Sequence, residues 1–185
     1  MRIVIIGAGP AAVSAVEAYR QAGGAGEISM LSAEPSLPYS PPAMADHFLS
    51  GSNLHLWRGV EWLDQQAVEF HPGAQVSAVD TQERRLAVDG HPDLGYDRLL
   101  LASGGRLYAP VPGADLPGVY NFKSLKAAEA LVAQVKSGAA RHAIVVGAGF
   151  IGMEIALLLT ELGVQVTQIE MLDQVMAGML DADTA

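Results

Sequence analysis

The chain has 185 residues, half of them hydrophobic and 6% aromatic, with a formal net charge of −9 and a pI near 4.8. That composition fits a globular protein of one or two domains with a real core, and the acidic balance excludes a binder of phosphate backbones, which needs clustered Lys and Arg. Cysteine is absent, which removes disulfides, thiolate metal sites and redox-active dithiols together.

Arg2 to Ile6 is a continuous β-branched run, the pattern of a strand buried on both faces of a parallel sheet. Pro10 to Ala22 has apolar residues at helical spacing and ends at the glycines Gly23 and Gly24, and Glu27 to Ser32 reads as a second strand. A right-handed crossover makes these two strands parallel neighbours. Residues 35–52 hold four prolines and no clear period, so a loop is expected, with a short helix over Ala43 to Leu49. Val60 to Ala67 predicts a helix and Val68 to His71 a strand. Ala74 to Val88 predicts a hairpin around Thr81 to Arg85, and Tyr96 to Ser103 a further buried strand. After a linker over Pro110 to Pro117, Leu125 to Ser137 has helical spacing. Ala143 to Val146 then repeats the opening motif, followed by a helix over Met153 to Leu162 and a strand over Val164 to Ile169.

Two glycine turns carry the chemistry. In Gly7-Ala8-Gly9-Pro10-Ala11-Ala12, Gly7 permits the tight strand-to-helix turn, Gly9 lets backbone approach a pyrophosphate, and small Ala12 lets helix and strand pack closely. The helix amino terminus supplies the anion site, and Glu34, 25 residues after Gly9, offers a carboxylate to a ribose diol. Gly147-Ala148-Gly149-Phe150-Ile151-Gly152 gives the full GxGxxG pattern, with Glu170 closing the unit. An acid there with no arginine immediately following favours NADH over NADPH, because a 2′-phosphate would be repelled. Each feature also has a plainer reading: a tight turn with no ligand, Glu34 as a solvated surface acid, and Glu154 as a charge near the positive end of a helix dipole. The acids and histidines show no metal-ligand spacing, and no Ser, His and Asp set has a triad context, so neither a metal site nor a catalytic residue is assigned. The five histidines suggest surface or loop positions, with His47 singled out by its place in the proline-rich loop although a surface role is the plainer reading, and the three methionines in Met171 to Met179 suggest core or interface filling.

Fingerprints 140 residues apart, with Leu99 to Arg106 and Val111-Pro112-Gly113 between them, resemble the two-dinucleotide-binding-domain flavoproteins, the FAD-dependent pyridine nucleotide-disulfide oxidoreductases. The resemblance covers nearly the whole chain. It implies an α/β fold: a Rossmann-like FAD-binding domain with parallel sheet, helices and a hairpin or meander over residues 1–112, then the first half of a Rossmann-like NAD-binding domain over 113–185. It places FAD on Gly7, Gly9, Pro10, Ala11, Ala12 and Glu34, runs Ala102-Ser103-Gly104 (usually Ala-Thr-Gly) close to the flavin, and puts the backbone at Val76 against the adenine. NADH falls to Gly147, Gly149, Phe150, Ile151, Gly152, Glu154 and Glu170.

The run Pro38-Tyr39-Ser40-Pro41-Pro42 is similar to the flavin loop of the ferredoxin-reductase and NADH-oxidase branches, but Pro41 and Asp46 stand where cations are usual. This leans toward flavoprotein subunits of larger electron-transfer complexes, and the lack of cysteine disfavours disulfide chemistry. The implied activity is hydride transfer from NADH to FAD and electron delivery to a carrier protein or small acceptor. The alternatives are a non-catalytic nucleotide-binding or regulatory module, an inactive fragment, and a pair of nucleotide sites without flavin. Family members run to about twice this length, so the chain is expected to be truncated, with its last forty residues poorly stable alone. The expected partners include no nucleic acid and no membrane; a homodimer or a place in a larger redox complex is open. No apolar run approaches the roughly 20 residues of a bilayer span and no signal-peptide pattern is present, so the cytoplasm is the expected location.

Overall fold

The computed structural model describes residues 1–105, 111–181, 183 and 184. Its contacts divide the chain into two compact units, one of residues 1–40 with 54–108 and one of 41–53 with 109–185.

In the first unit, β1 (Arg2–Ile6) runs into α1 (Pro10–Gln21) and β2 (Glu27–Ser32). Next come a helix at Val60–Gln65, a strand at Val68–Pro72 called β3, the hairpin strands β4 (Val76–Asp80) and β5 (Arg85–Val88), the two-residue β6 (Leu94–Gly95) and β7 (Arg98–Leu101). β3, β2, β1 and β7 form a wholly parallel sheet in that order, while β4, β5 and β6 form an antiparallel meander. One face of the sheet packs Ile5, Ile28, Met30 and Val68 against Ala12 and Val16 of α1, and the other packs Val4 and Leu31 against Leu86 and Val88 of the meander. Burial on both faces accounts for the unbroken apolar run Ile3 to Ile6 of β1. Arg20 fastens the end of α1: its guanidinium donates to the carbonyls of Gly24, Gly26, Gln66 and Ala67 at 2.8–3.2 Å.

The second unit gathers a 3-10 turn at Pro41–Ala43, α2 (Met44–Ser50), a helix at Leu125–Lys136, β8 (His142–Val146), α5 (Phe150–Glu161) and β9 (Gln165–Ile169). Here the helices at Val60–Gln65 and Leu125–Lys136 are α3 and α4. β8 and β9 are parallel, with α4 and α5 packed on one side through Val135, Val145, Leu159 and Val164. Ala45 of α2 joins Val132 and Leu158 in a second small core, with Phe48 and Phe122 beside it. The opposite face of the two strands is open: Ile144 is 68% and Val146 70% exposed.

Several expectations need correction. β7 is half exposed rather than buried, with Leu101 66% accessible. α5 begins at Phe150, three residues earlier than predicted, because Gly149 itself is the cap and the helix starts inside the glycine motif. His55 is buried at 3% exposure in a turn, its carbonyl accepting from the N–H groups of Ser40 and Trp57, so of the expected surface or loop position it takes the loop. Met171 and Met179 are exposed, which removes the core alternative from their expected core or interface role. The short β6 was not foreseen, since two residues carry no period. Arg106 and Pro110 of the quoted motif and linker lie outside the described residues.

Candidate functional site

Both glycine turns are built alike. The N–H of Gly7 donates to the carbonyl of Leu31 at 2.7 Å, and that of Gly147 to the carbonyl of Ile169 at 2.8 Å. In each copy the first glycine takes a positive φ, +112° at Gly7 and +100° at Gly147, where an L side chain is strained. Gly9 and Gly149 cap α1 and α5 with no side-chain hydrogen bond, and no acidic residue stands in either first turn. By contrast Ser124 caps α4 through its hydroxyl, which accepts from the Ala127 N–H at 3.2 Å. The first N–H groups of α1 and α5 have no partner within their own helices, and neither helix supplies a capping side chain for them. A Cβ placed on Gly9 or Gly149 would meet nothing within 4 Å, so the space beside each cap is open to a ligand group. Pro10 and Ala11, and in the second copy Phe150 and Ile151, form those first turns; Pro10 suits N1 because it lacks the N–H that the helix could not use.

The third position differs. Ala12 is fully buried in the core under α1, whereas a Cβ at Gly152 would overlap the carbonyl oxygen of Gly147. α5 therefore crosses the turn more tightly than α1 does.

In the first unit, Ala102 and the backbone nitrogen of Ser103 lie directly over the turn. A Cβ on Gly7 would strike the Ala102 carbonyl and come 3.0 Å from the Ser103 nitrogen, and the Ala102 N–H donates to Ile6 at 2.8 Å. Gly104 has φ +70°. Glu34 sits two residues past β2, partly exposed, where the Tyr39 hydroxyl donates to its carboxylate at 2.9 Å and its own N–H donates to the Ser32 hydroxyl at 3.2 Å. Tyr39 is a site residue that the sequence flagged only as part of a loop motif. Val76 pairs with Val88 beside a bulge and packs with the meander core.

In the second unit, the Glu170 carboxylate accepts from the N–H groups of Ala148 (2.7 Å), Met171 (2.7 Å) and Leu172 (3.0 Å). These bonds, that from Leu172 foremost, favour the charged form and hold the carboxyl below its ordinary range. Registering the turns on Leu31 and Ile169 shows that Glu170 corresponds to Ser32, not to Glu34. The two acids are thus two positions out of step. Glu154, one turn into α5, is pushed up by desolvation. His47 belongs to α2, half buried, its ring nitrogen 2.7 Å from the Ser52 carbonyl, and Asp46 is exposed and bonded to Ser50.

The first unit has two grooves of about 670 and 690 Å³, one beside Glu17, Trp57, Arg58 and Trp62, the other at the end of its sheet by Arg2 and Glu27, opposite the Gly7 turn. Neither includes a fingerprint residue, and the open helix caps weigh more than concavity in locating the site. Among the described residues no group of three or more His, Asp or Glu side chains could hold a metal, and no helix is long and apolar enough to cross a membrane.

Two strand-turn-helix-strand units with uncapped, glycine-opened helices define a protein with two dinucleotide-binding folds of Rossmann type. The chain belongs to the pyridine nucleotide-disulphide oxidoreductase family, whose profile matches residues 1–185. That family comprises FAD-dependent NAD(P)H oxidoreductases. The chain is 34% identical to rhodocoxin reductase of Rhodococcus erythropolis over 98% of its own length and 43% of the relative. To the ferredoxin–NAD(+) reductase component of the anthranilate 1,2-dioxygenase system of Burkholderia cepacia it is 34% identical, over 90% of the chain and 42% of the relative. A ferredoxin reductase from Rhodopseudomonas palustris has the same fold, with a TM-score of 0.86 and 30% identity over 99% of this chain and 46% of that one. The chain spans less than half the length of these relatives. All three relatives are reductases by name.

Proposed function

We propose that the chain is the nucleotide-binding portion of an FAD-dependent NAD(P)H oxidoreductase that passes a hydride from NADH to FAD and electrons on to a carrier protein of the ferredoxin kind. The observation that carries this reading is the pair of matching turns, each with an open cap and a carboxylate beyond its second strand. FAD, when bound, supplies the two-electron acceptor that the cysteine-free chain lacks and can release electrons singly. Gly7, Gly9, Pro10, Ala11 and Ala12 would hold its pyrophosphate against the amino terminus of α1, with Glu34, oriented by Tyr39, on the ribose. Ala102, Ser103 and Gly104 would border the flavin, and Val76 would offer backbone to the adenine. We keep residues 1–112 for FAD and 113–185 for NAD as the proposed division, although α2, from within the first stretch, packs in the second unit.

Gly147, Gly149, Phe150, Ile151 and Gly152 would cradle the NADH pyrophosphate, and Glu170 would accept from the ribose diol. Its three backbone donors keep it charged, which disfavours a 2′-phosphate and supports NADH over NADPH. Glu154 lies one turn inside the same helix, where its raised pKa marks a partly desolvated position that a nucleotide would complete. We place the protein in the cytoplasm. The test is the visible spectrum of the purified full-length protein before and after anaerobic NADH. Flavin bands that bleach with NADH support the reading; a colourless protein, or a yellow one that neither NADH nor NADPH reduces, sinks it and favours a binding module without turnover.

A further inference from the structure

All four polar backbone groups of Gly147 and Ala148 are engaged by the chain that follows α5. The Gly147 N–H donates to the Ile169 carbonyl at 2.8 Å, and the Gly147 carbonyl accepts from the Gln168 side-chain amide at 3.0 Å. The Ala148 N–H donates to Glu170 at 2.7 Å, and the Ala148 carbonyl accepts from the Met176 N–H at 2.8 Å. The carbonyl of Gly147 and the N–H of Ala148 belong to one planar peptide and point to opposite sides. Gln168 on β9 and Glu170, the residue just past its end, grip that peptide from both sides.

The grip is absent from the first turn. The residues in register with Gln168 and Glu170 there are Met30 and Ser32. A thioether cannot donate, and the Ser32 hydroxyl accepts from Glu34 instead. Gln168 also answers a local need. Gly152 presses on the Gly147 carbonyl, and a Cβ there would lie 3.3 Å from the Gln168 nitrogen, so the oxygen is wedged under α5 with Gln168 as its donor.

We infer that Gln168 is a positioning residue for nucleotide binding: with Glu170 it fixes the Gly147–Ala148 peptide, so that the free N–H groups at the start of α5 face a dinucleotide pyrophosphate before it arrives. This rests on the reading of the second turn as the NADH site. Because Gln168 acts on the turn and Glu170 additionally on the ribose, the two are separable. Gln168→Met gives the second turn the residue of the first, at nearly constant volume, and Gln168→Glu keeps length and polarity but has no donor when ionised.

The experiment is calorimetric titration of the full-length protein with NADH and with NADPH, paired with hydrogen exchange at the Ala148 amide in the free protein. Losing one hydrogen bond and stranding a carbonyl raises both dissociation constants about tenfold. Their ratio stays that of the wild type, and Ala148 exchange quickens in the folded variants. Glu170→Gln changes the ratio. A folded Gln168→Met or Gln168→Glu protein that binds NADH as the wild type does, or that leaves Ala148 exchange unchanged, overturns the role of Gln168. A wild-type protein that binds neither nucleotide overturns the NADH site itself, and the assignment with it.

Discussion

Gly7 and Gly147 bend the backbone the same way, yet a Cβ on Gly7 would run into the Ala102 carbonyl while one on Gly147 would meet nothing within 4 Å. The first turn is held by a neighbour from the next parallel strand, packed over it at the end of β7. The second has no such cover among the described residues and is held by side chains and backbone of residues 168–176. One backbone geometry can thus be set in place by close packing or by hydrogen bonds, and the two means respond differently to substitution.

The largest contrast is at the first glycines. Gly7→Ala combines a disfavoured φ with overlap on backbone that cannot move aside, so it is expected to cost about 3 kcal/mol or more. Gly147→Ala incurs only conformational strain, about 1–2 kcal/mol. Thermal unfolding of the two variants checks this, and equal losses would break the comparison. Gly152→Ala, whose Cβ overlaps the Gly147 carbonyl, is expected to weaken NADH binding by roughly tenfold or more. Ala12→Gly costs only about 1 kcal/mol of stability, with flavin retention and NADH titration as the readouts. If Gly152→Ala binds NADH normally, α5 can retreat and the tight crossing has no role.

The sheet faces give a smaller effect. Val4, fully buried, should lose about 1–3 kcal/mol as Val4→Thr, while Ile144→Thr on the open face of β8 should stay within about 0.5 kcal/mol. A large loss at Ile144, measured by denaturant midpoint, would mean that this face is covered in solution. The smallest effect concerns pH. Glu170 has a folded pKa below its ordinary value, so its contribution is present above the unfolded pKa and fades as pH falls through the folded one. NADH affinity should therefore persist through the usual glutamate range and decline below it, and Glu170→Gln should remove that decline.

Much of this was legible in the sequence, for identifiable reasons. Arg2 to Ile6 and Glu27 to Ser32 spelled buried strands because their sheet is covered on both faces, and the glycines stood where turn geometry admits little else. Membership of residues 41–53 in the second unit was not legible: four prolines between 35 and 42 erase any period, and Ala45 finds its partners at Val132 and Leu158, far along the chain. Gln168 was missed because a polar residue between Val166 and Ile169 reads as ordinary strand alternation. The signal available was its place two residues before the acid, in a strand whose counterpart has methionine there. The offset between Glu34 and Glu170 was hidden because Glu34 was located by its distance from Gly9 and Glu170 by the end of its strand, so the two were never put in one register.

β1 is an inner strand of its sheet, with β2 on one side and β7, residues 98–101, on the other. About a hundred residues must therefore be made before the opening strand has both its neighbours, and the turn at Gly7 receives its cover from Ala102 at the same moment. Such long-range closure slows folding and leaves an apolar edge waiting in the meantime. In a growing chain, the first nucleotide cradle would have to wait for the last strand of its unit before it was finished.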